Sequence, residues 1–201
     1  MRERQADFFV ALGDMIYADD ACAAIGRFGN AQVVGPGPAT AAIPSFWEHW
    51  RYNRADPATQ RFFTTTPYYA VWDDHEIQND AGPRNQTLPD APAEPRLAAA
   101  RAAYVDYQPL VDAEKLYRSA RWGRHLEIFF LDTRSYRQAN LDPDAGAYPK
   151  TMLGDEQRRW LIDGLVRSKA TWKIIVSSVP LSIPTGGDGW ADGGMRQASL
   201  Q

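Results

Sequence analysis

Four short apolar runs constrain the fold of this chain more than any other feature. They cover residues 8–12, 68–72, 126–131 and 172–176, and they are rich in aromatic and β-branched side chains. Runs of this length and composition are typical of buried β-strands that are covered on both faces. The sequence therefore predicts four such strands, separated by long intervening segments.

The segments between these runs carry helical patterns. Apolar side chains recur at helical spacing within residues 45–54 and again after Pro95, a residue that suits the first turn of a helix. A third helix is predicted within residues 153–168, with Asp155 as its N-terminal cap. Strands that alternate with helices predict a layered α/β fold, in which helices flank a mixed sheet.

Composition excludes several classes of protein. The 201 residues are 44% hydrophobic and 23% charged, which is a globular balance and is sufficient for one domain. The formal net charge of −3 gives no basic surface for nucleic acid. No apolar run is long enough to span a membrane, and the first residues lack the pattern of a signal peptide. The single cysteine, Cys22, excludes an internal disulfide.

Three of the four predicted strands stop at a carboxylate, at Asp14, Asp73 and Asp132. In open α/β sheets, ligands bind at the carboxyl ends of the strands. Oxygen ligands of this kind suit calcium, magnesium, manganese or ferric iron better than soft metals. The sequence therefore predicts a metal and phosphate site at this end of the sheet.

The first of these turns reads Gly-Asp-Met-Ile-Tyr. Gly13 permits a tight turn, Asp14 offers a hard oxygen ligand, and Tyr17 returns to the same point if the turn is helical. A phenol has a pKa of about 10, so Tyr17 would bind only a strong Lewis acid, of which ferric iron is the first candidate. The alternative is a capping aspartate beside a packed tyrosine.

The second turn reads Trp-Asp-Asp-His-Glu and is dense in metal-capable side chains. Asp73 and Asp74 repel each other unless a cation holds them, and His75 and Glu76 follow directly. The pattern indicates a metal site with an adjacent histidine. The alternative is a solvated, charged turn that caps a helix.

The third turn contains Arg134, two residues after Asp132. The planar guanidinium of arginine suits phosphate oxygens, and Asp132 could orient it or the loop. The alternative is a surface ion pair, which contributes little energy. The other two histidines, His49 and His125, are assigned no role.

Taken in order, these segments resemble one known family. The chain reads FFVALGDMIYAD, FWEHWRYNRADP, YYAVWDDHEIQND, RWGRHLEIFFLDTRSYR, KTMLGDEQRRWL, SKATWKIIVSSVPLS and DGWA. This series, from Asp7 to about Ala191, resembles the PhoD-like alkaline phosphatases of the calcineurin-like metallophosphoesterase superfamily. The GD-x-x-Y and WDDHE motifs are the specific part of the resemblance.

The resemblance implies metal-dependent hydrolysis of phosphate mono- or diesters, with Fe3+ and Ca2+ in the site. Carried over by position, it implies four metal ligands, one catalytic histidine and one phosphate-binding arginine: Asp14, Tyr17, Asp73, Asp74, His75 and Arg134. Among the ligands, Asp14 would bridge two ions and Tyr17 would bind iron as a phenolate. Asp74 would take the metal-ligand place that an asparagine holds in the superfamily's GNHE-type motif. Glu76 matches the motif without an assigned role.

Two parts of the family pattern have no counterpart in these residues: an earlier strand that supplies ligands, including a cysteine, and a later Gly-Asp-x-His motif. We therefore expect residues 1–201 to form a partial domain of this metallophosphoesterase-like fold. The alternative function is a catalytically inactive, truncated fragment of such an enzyme, and a third possibility is a hydrolase for another ester. Family members are commonly exported, but the sequence decides neither the location nor the oligomeric state.

Overall fold

The computed structural model of the chain describes residues 6–26, 28–83, 93–140, 150–183, 185 and 188–190. Two compact units are present: the first comprises Met1–Ala81 and Gln86–Pro109, and the second Gly82–Asn85 and Leu110–Gln201. Each unit contains strands and helices, which confirms the predicted mixed α/β class. The expected extent of the domain, residues 1–201, stays a prediction. None of the helices in the described ranges is long and apolar enough to cross a membrane.

The first unit is built on two parallel strands, β1 (Phe9–Leu12) and β2 (Tyr68–Val71). Both match predicted strands that are one residue longer. Because the two strands are parallel and in register, they end at the same edge. The turns that follow them, Gly-Asp-Met-Ile-Tyr and Trp-Asp-Asp-His-Glu, therefore lie side by side.

Three helices complete the first unit: α1 (Ile43–Ala55), α2 (Pro57–Phe63) and α3 (Ala93–Tyr107). α1 and α3 pack against each other, where Trp50 stacks on the ring of Tyr107 with 5.8 Å between ring centroids. α2 contacts β1 through an edge-to-face pair of Phe62 and Phe9 at 5.3 Å. The first aromatic contact joins α1 to α3, and the second holds α2 on the strand that carries the first acidic turn.

α3 begins two residues before Pro95, which therefore lies in the first turn, as predicted. α2 was not predicted. Asp56 caps α2, because its carboxylate accepts a hydrogen bond from the backbone N–H of Thr59 at 2.6 Å, and Pro57 opens the first turn. The Asp-Pro pair was the sequence signal for this short helix.

The second unit contains three strands and one helix: β3 (Arg118–Trp122), β4 (Leu126–Phe130), α4 (Gly154–Arg167) and β5 (Trp172–Val176). β3 and β4 form an antiparallel hairpin around Gly123, whose φ is 64°, and β5 pairs with β4 in parallel. The sheet is therefore mixed, as expected. β3 was missed because its sequence, Arg-Ser-Ala-Arg-Trp, contains no apolar run.

Two predictions in the second unit are wrong. The N-terminal cap of α4 is Leu153, which makes no capping side-chain hydrogen bond, and Asp155 lies in the first turn, where its charge favours the helix dipole. β5 was expected to be covered on both faces, but Trp172, Ile174 and Ile175 are exposed. β5 lies at an edge of the sheet in the part of the chain that the structure describes.

α4 approaches the sheet closely at Gly164. A Cβ atom there would lie 2.7 Å from Cε1 of Phe129, so a larger residue would push the helix away. Phe129 also meets Trp160 edge to face at 5.9 Å. Trp160 in turn packs against a buried cluster: Leu131, Met152, Leu153, Val179 and Trp190.

Candidate metal centre

The turn after β1 lies very close to the end of β2. Gly13 has a φ of 95°, and a Cβ atom there would lie 2.3 Å from Cβ of Asp73, so only glycine fits. Asp14 follows with a φ of 54°, in the left-handed region that costs energy for a residue with a side chain. The backbone is thus held in a costly conformation at a residue that the sequence indicates as a metal ligand.

Glu76 ties the two turns together. Its buried carboxylate accepts hydrogen bonds from the backbone N–H groups of Asp14 at 3.0 Å, of Asp73 at 2.7 Å, and of Met15. Burial raises the pKa of Glu76 to about 7, with a further contribution from the charge of Asp14 and against the effect of the three N–H donors. These contacts make Glu76 a link between the two turns.

Three side chains offer ligand atoms that converge. One atom each from Asp14, Asp74 and His75 lies within 4.8 Å of the other two. Asp74 is buried, while Asp14 and His75 are half-buried. Oδ2 of Asp74 accepts the backbone N–H of Asp80 at 2.7 Å, which fixes the orientation of this carboxylate. Two carboxylates and an imidazole at this spacing are a suitable set of ligands for a cation.

Tyr17 lies beside these ligand atoms. Its hydroxyl donates a hydrogen bond to Oδ2 of Asp14 at 3.4 Å, and the residue is 49% exposed. Partial burial and the negative charges of Asp14 and Asp74 raise the pKa of Tyr17. The phenol therefore keeps its proton more firmly than a free tyrosine, and its assignment as a ligand of iron stays a prediction.

The ring of His75 is held by two neighbours. Nδ1 lies 2.9 and 3.0 Å from the two carboxylate oxygens of Asp19, and the ring of Tyr17 stacks on the imidazole with 4.2 Å between centroids. Asp19 also accepts the backbone N–H of Asn79 at 2.7 Å. Partial burial lowers the pKa of His75, but the hydrogen bond and charge of Asp19 and the charge of Asp74 outweigh it and raise the pKa to about 9.

Asp19 is a site residue that sequence reasoning missed. It follows Tyr17 by two positions and stands next to Asp20, so the sequence shows an acidic pair without indicating which carboxylate faces a histidine. The contact joins residues that are 56 positions apart. Only the approach of the two turns in space reveals the partner of His75.

Asp73 is buried at the end of β2, and the structure links its backbone N–H to Glu76. Its carboxylate does not belong to the group of converging ligand atoms within the described residues. The assignment of Asp73 as a metal ligand stays a prediction.

In the second unit, Arg134 is completely buried in an ion-pair network. Its Nη1 and Nη2 donate to the two carboxylate oxygens of Asp188 at 2.8 and 2.7 Å, and Nη1 of Arg137 lies 3.0 Å from the same carboxylate. Burial opposes the ionisation of Asp188, but these contacts prevail and hold its pKa below the usual range. The burial excludes the surface ion pair that was the alternative, and the contact of Arg134 with phosphate stays a prediction.

Asp132 shapes the loop around Arg134. Its Oδ1 accepts the backbone N–H groups of Arg134 at 3.1 Å and Ser135 at 2.9 Å. The backbone N–H of Asp132 donates to Gln157 at 2.8 Å, which anchors the loop to α4. Of the two roles that the sequence left open for Asp132, the structure shows the orientation of the loop.

Comparison with known proteins identifies similar sequences and a similar structure. The family described as PhoD-like phosphatase matches residues 1–197. Alkaline phosphatase D of Bacillus subtilis (strain 168) is 26% identical over 199 residues, which cover 89% of this chain and 33% of that protein. The solved "Structure of PhoD" has a similar fold, with a TM-score of 0.77 and 24% identity over 93% of this chain and 40% of that one. The chain thus spans about a third of the length of this curated relative.

Proposed function

Since this chain belongs to the PhoD-like phosphatase family, we propose that it hydrolyses phosphate mono- or diesters with the help of metal ions. The observation that carries the proposal is the convergence of ligand atoms from Asp14, Asp74 and His75 within 4.8 Å. The hydroxyl of Tyr17 lies beside them. The substrate would be a phosphate ester that reaches this group of side chains.

The donors of this group fit a hard cation. Two carboxylates that approach each other in a partly buried site are costly unless positive charge compensates them. Asp14 and Asp74 would be oxygen ligands of the Fe3+ and Ca2+ ions, and Tyr17 would bind Fe3+, because a phenol gives up its proton only to a strong Lewis acid. When bound, such ions activate water and stabilise the charge of a phosphoryl group under attack.

His75 is the proposed proton donor to the leaving alcohol oxygen. Asp19 engages Nδ1 with both carboxylate oxygens, so Nε2 is the nitrogen left to face the substrate. A proton held at Nε2 would pass to the alcohol oxygen as the phosphorus–oxygen bond breaks. The stacked ring of Tyr17 restricts the rotation of the imidazole.

Two further roles in the proposal come from the family resemblance. Asp73 would be an additional metal ligand at the end of β2. Arg134 would contact the phosphate, with Asp188 orienting its guanidinium through the paired hydrogen bonds.

Metal loading and kinetics on the purified chain test the proposal. Fe3+ and Ca2+ are added, the bound metal is measured, and the hydrolysis of an activated aryl phosphate monoester and diester is followed. Asp74→Asn should abolish the metal-dependent hydrolysis, because it removes a converging ligand. The matched control is Asp7→Asn, an exposed aspartate of the same unit, which should leave it unchanged. Hydrolysis of a carboxylic ester in preference to both phosphates would favour the hydrolase for another ester.

The alternative is a catalytically inactive, truncated fragment, and the number of ligands favours it. A calcium ion takes about six to eight oxygen ligands, whereas Asp14, Tyr17 and Asp74 are the oxygen donors that meet in the described part of the chain. If this alternative holds, we expect weak metal binding and little turnover from these residues alone. Bound metal without any turnover would favour the inactive fragment. Stoichiometric metal with turnover at ordinary enzyme rates would show that these residues form a complete site.

A further inference from the structure

Arg96 is a buried cation that no ion pair explains. It lies in α3, is 1% exposed, and has no carboxylate within ion-pair distance among the described residues. Instead, Nε donates to the carbonyl oxygen of Ile77 at 2.8 Å, and Nη1 donates to the carbonyl oxygen of Ala39. The guanidinium also lies over the ring of Phe46, 5.3 Å from its centroid. Arg96 thus connects α3 with two separate loops of the first unit.

These two hydrogen bonds close a ring of contacts. Ala39 donates its N–H to the carbonyl oxygen of Ala18 at 2.6 Å, and Ala18 donates its own N–H to the carbonyl oxygen of His75 at 2.8 Å. His75 lies two residues before Ile77, where the ring returns to Arg96. Arg96 contributes the one side chain of this ring, and every other link is a backbone group.

The ring of contacts holds the backbone on both sides of the Asp19–His75 contact. Asp19 follows Ala18 directly in the chain, and the carbonyl group of His75 is itself a member of the ring. We propose that Arg96 is a positioning residue that fixes the carboxylate of Asp19 against Nδ1 of His75. This inference rests on the proposed function, because the position of the His75 imidazole matters for turnover only if His75 takes part in the reaction.

The energetics of burial argue against a purely stabilising role for Arg96. A buried guanidinium without a carboxylate partner is costly, and burial lowers the pKa of Arg96. An apolar side chain of similar length would avoid this cost. The planar fork of arginine, however, holds two acceptors at a fixed spacing, which an apolar side chain or a lysine cannot do.

Two substitutions and one control separate positioning from general stability. Arg96→Met removes the donors and keeps much of the length, whereas Arg96→Lys keeps the charge and loses the fork. Arg54→Met is the control, because Arg54 also lies over an aromatic ring, 4.2 Å from the centroid of Phe63. Its hydrogen bonds go to Tyr68 and Tyr107, which are outside the ring of contacts.

The first readout is the nitrogen NMR spectrum of the His75 ring, assigned by its loss in His75→Ala. It reports the hydrogen bond from Nδ1 to Asp19 and requires neither bound metal nor turnover. The unsubstituted chain and Arg54→Met should each give one set of His75 signals. Arg96→Met should give broadened or doubled signals, and Arg96→Lys should show the same change to a smaller extent.

The second readout is the hydrolysis of an activated aryl phosphate. In Arg96→Met we expect kcat to fall about tenfold to a hundredfold, which is the usual effect of misplacing a reacting group by about 1 Å. KM should stay within about twofold, since the substrate contacts are retained. In Arg54→Met, kcat and KM should stay unchanged once the rate is corrected for the fraction of folded protein.

Unchanged His75 signals in both Arg96 variants would overturn the proposal, and so would an equal loss of kcat in Arg54→Met. If Arg96→Met does not fold, Arg96→Lys decides the question with the same two measurements. His75→Ala distinguishes a failure of the proposed function from a failure of the positioning role of Arg96. Undiminished hydrolysis in His75→Ala would remove His75 from the reaction, while the NMR spectra would still decide whether Arg96 positions its ring.

Discussion

The replacement of Asp188 by asparagine is expected to destabilise the second unit strongly. The carboxylate of Asp188 accepts hydrogen bonds from Arg134 and forms an ion pair with Arg137, and both arginines are almost completely buried. Asparagine keeps the size of the side chain but removes its negative charge. Its amide nitrogen would also face a guanidinium donor, so two buried cations would lose their counter-charge at once.

The magnitude follows from this geometry. Removing one partner of a buried ion pair costs about 3–5 kcal/mol, and the amide oxygen of asparagine still accepts one hydrogen bond, so we expect about 3 kcal/mol. The free energy of unfolding falls by about 1–3 kcal/mol per molar urea, so the urea concentration at the unfolding midpoint should fall by about 1 M or more. The control is Asp155→Asn, which removes an exposed contact of 3.7 Å with Arg158. That loss should stay below about 1 kcal/mol.

The effect of Asp188→Asn should also depend on pH. Burial opposes the ionisation of Asp188, but the arginine contacts hold its pKa below the ordinary value of 3.8. The carboxylate therefore contributes stability that is complete above this value and is lost as the pH falls towards the lower pKa of the folded state. The variant and the unsubstituted chain should converge in acid. A loss at neutral pH no larger than that of Asp155→Asn would refute the reasoning.

Three further substitutions test the candidate metal centre. His75→Ala should lower phosphate ester hydrolysis by about a hundredfold or more without changing the circular dichroism spectrum, and activity within about threefold of the parent would exclude His75 from the mechanism. The iron-loaded chain should absorb visible light through a phenolate charge-transfer band that Tyr17→Phe bleaches, and a colourless but fully active parent would exclude the assignment. Glu76→Gln should cost about 1–3 kcal/mol, because an amide cannot accept from all three N–H groups, and it should weaken metal binding in calorimetry. Glu48→Gln on the exposed face of α1 is its control, and an equal effect of the two changes would show that Glu76 does not link the turns.

The strands and their acidic turns could be predicted because the chain encodes them locally. An apolar run that ends in Gly-Asp or Asp-Asp-His specifies both the strand and the chemistry at its end. α2 and β3 carry weaker local signals. β3 is a polar strand that the hairpin with β4 stabilises, and α2 depends on its cap and on aromatic contacts with β1.

The partners of the site residues could not be predicted, because they are set by long-range packing. His75 meets Asp19 across 56 positions, Arg134 meets Asp188 across 54, and Arg96 meets the carbonyl oxygen of Ala39 across 57. The sequence indicates what each side chain can bind. It does not indicate which of several acids or carbonyl groups the fold will bring to it.

The single carboxylate of Glu76 also determines how the two turns open. The amide hydrogens of Asp14, Met15 and Asp73 share this acceptor, so one local opening event releases all three. In hydrogen exchange they should behave as one cooperative unit with a common rate, rather than as two independent loops. Under the proposed function, the candidate ligands on the two turns would then come together and separate at the same time, so metal uptake would be all-or-none.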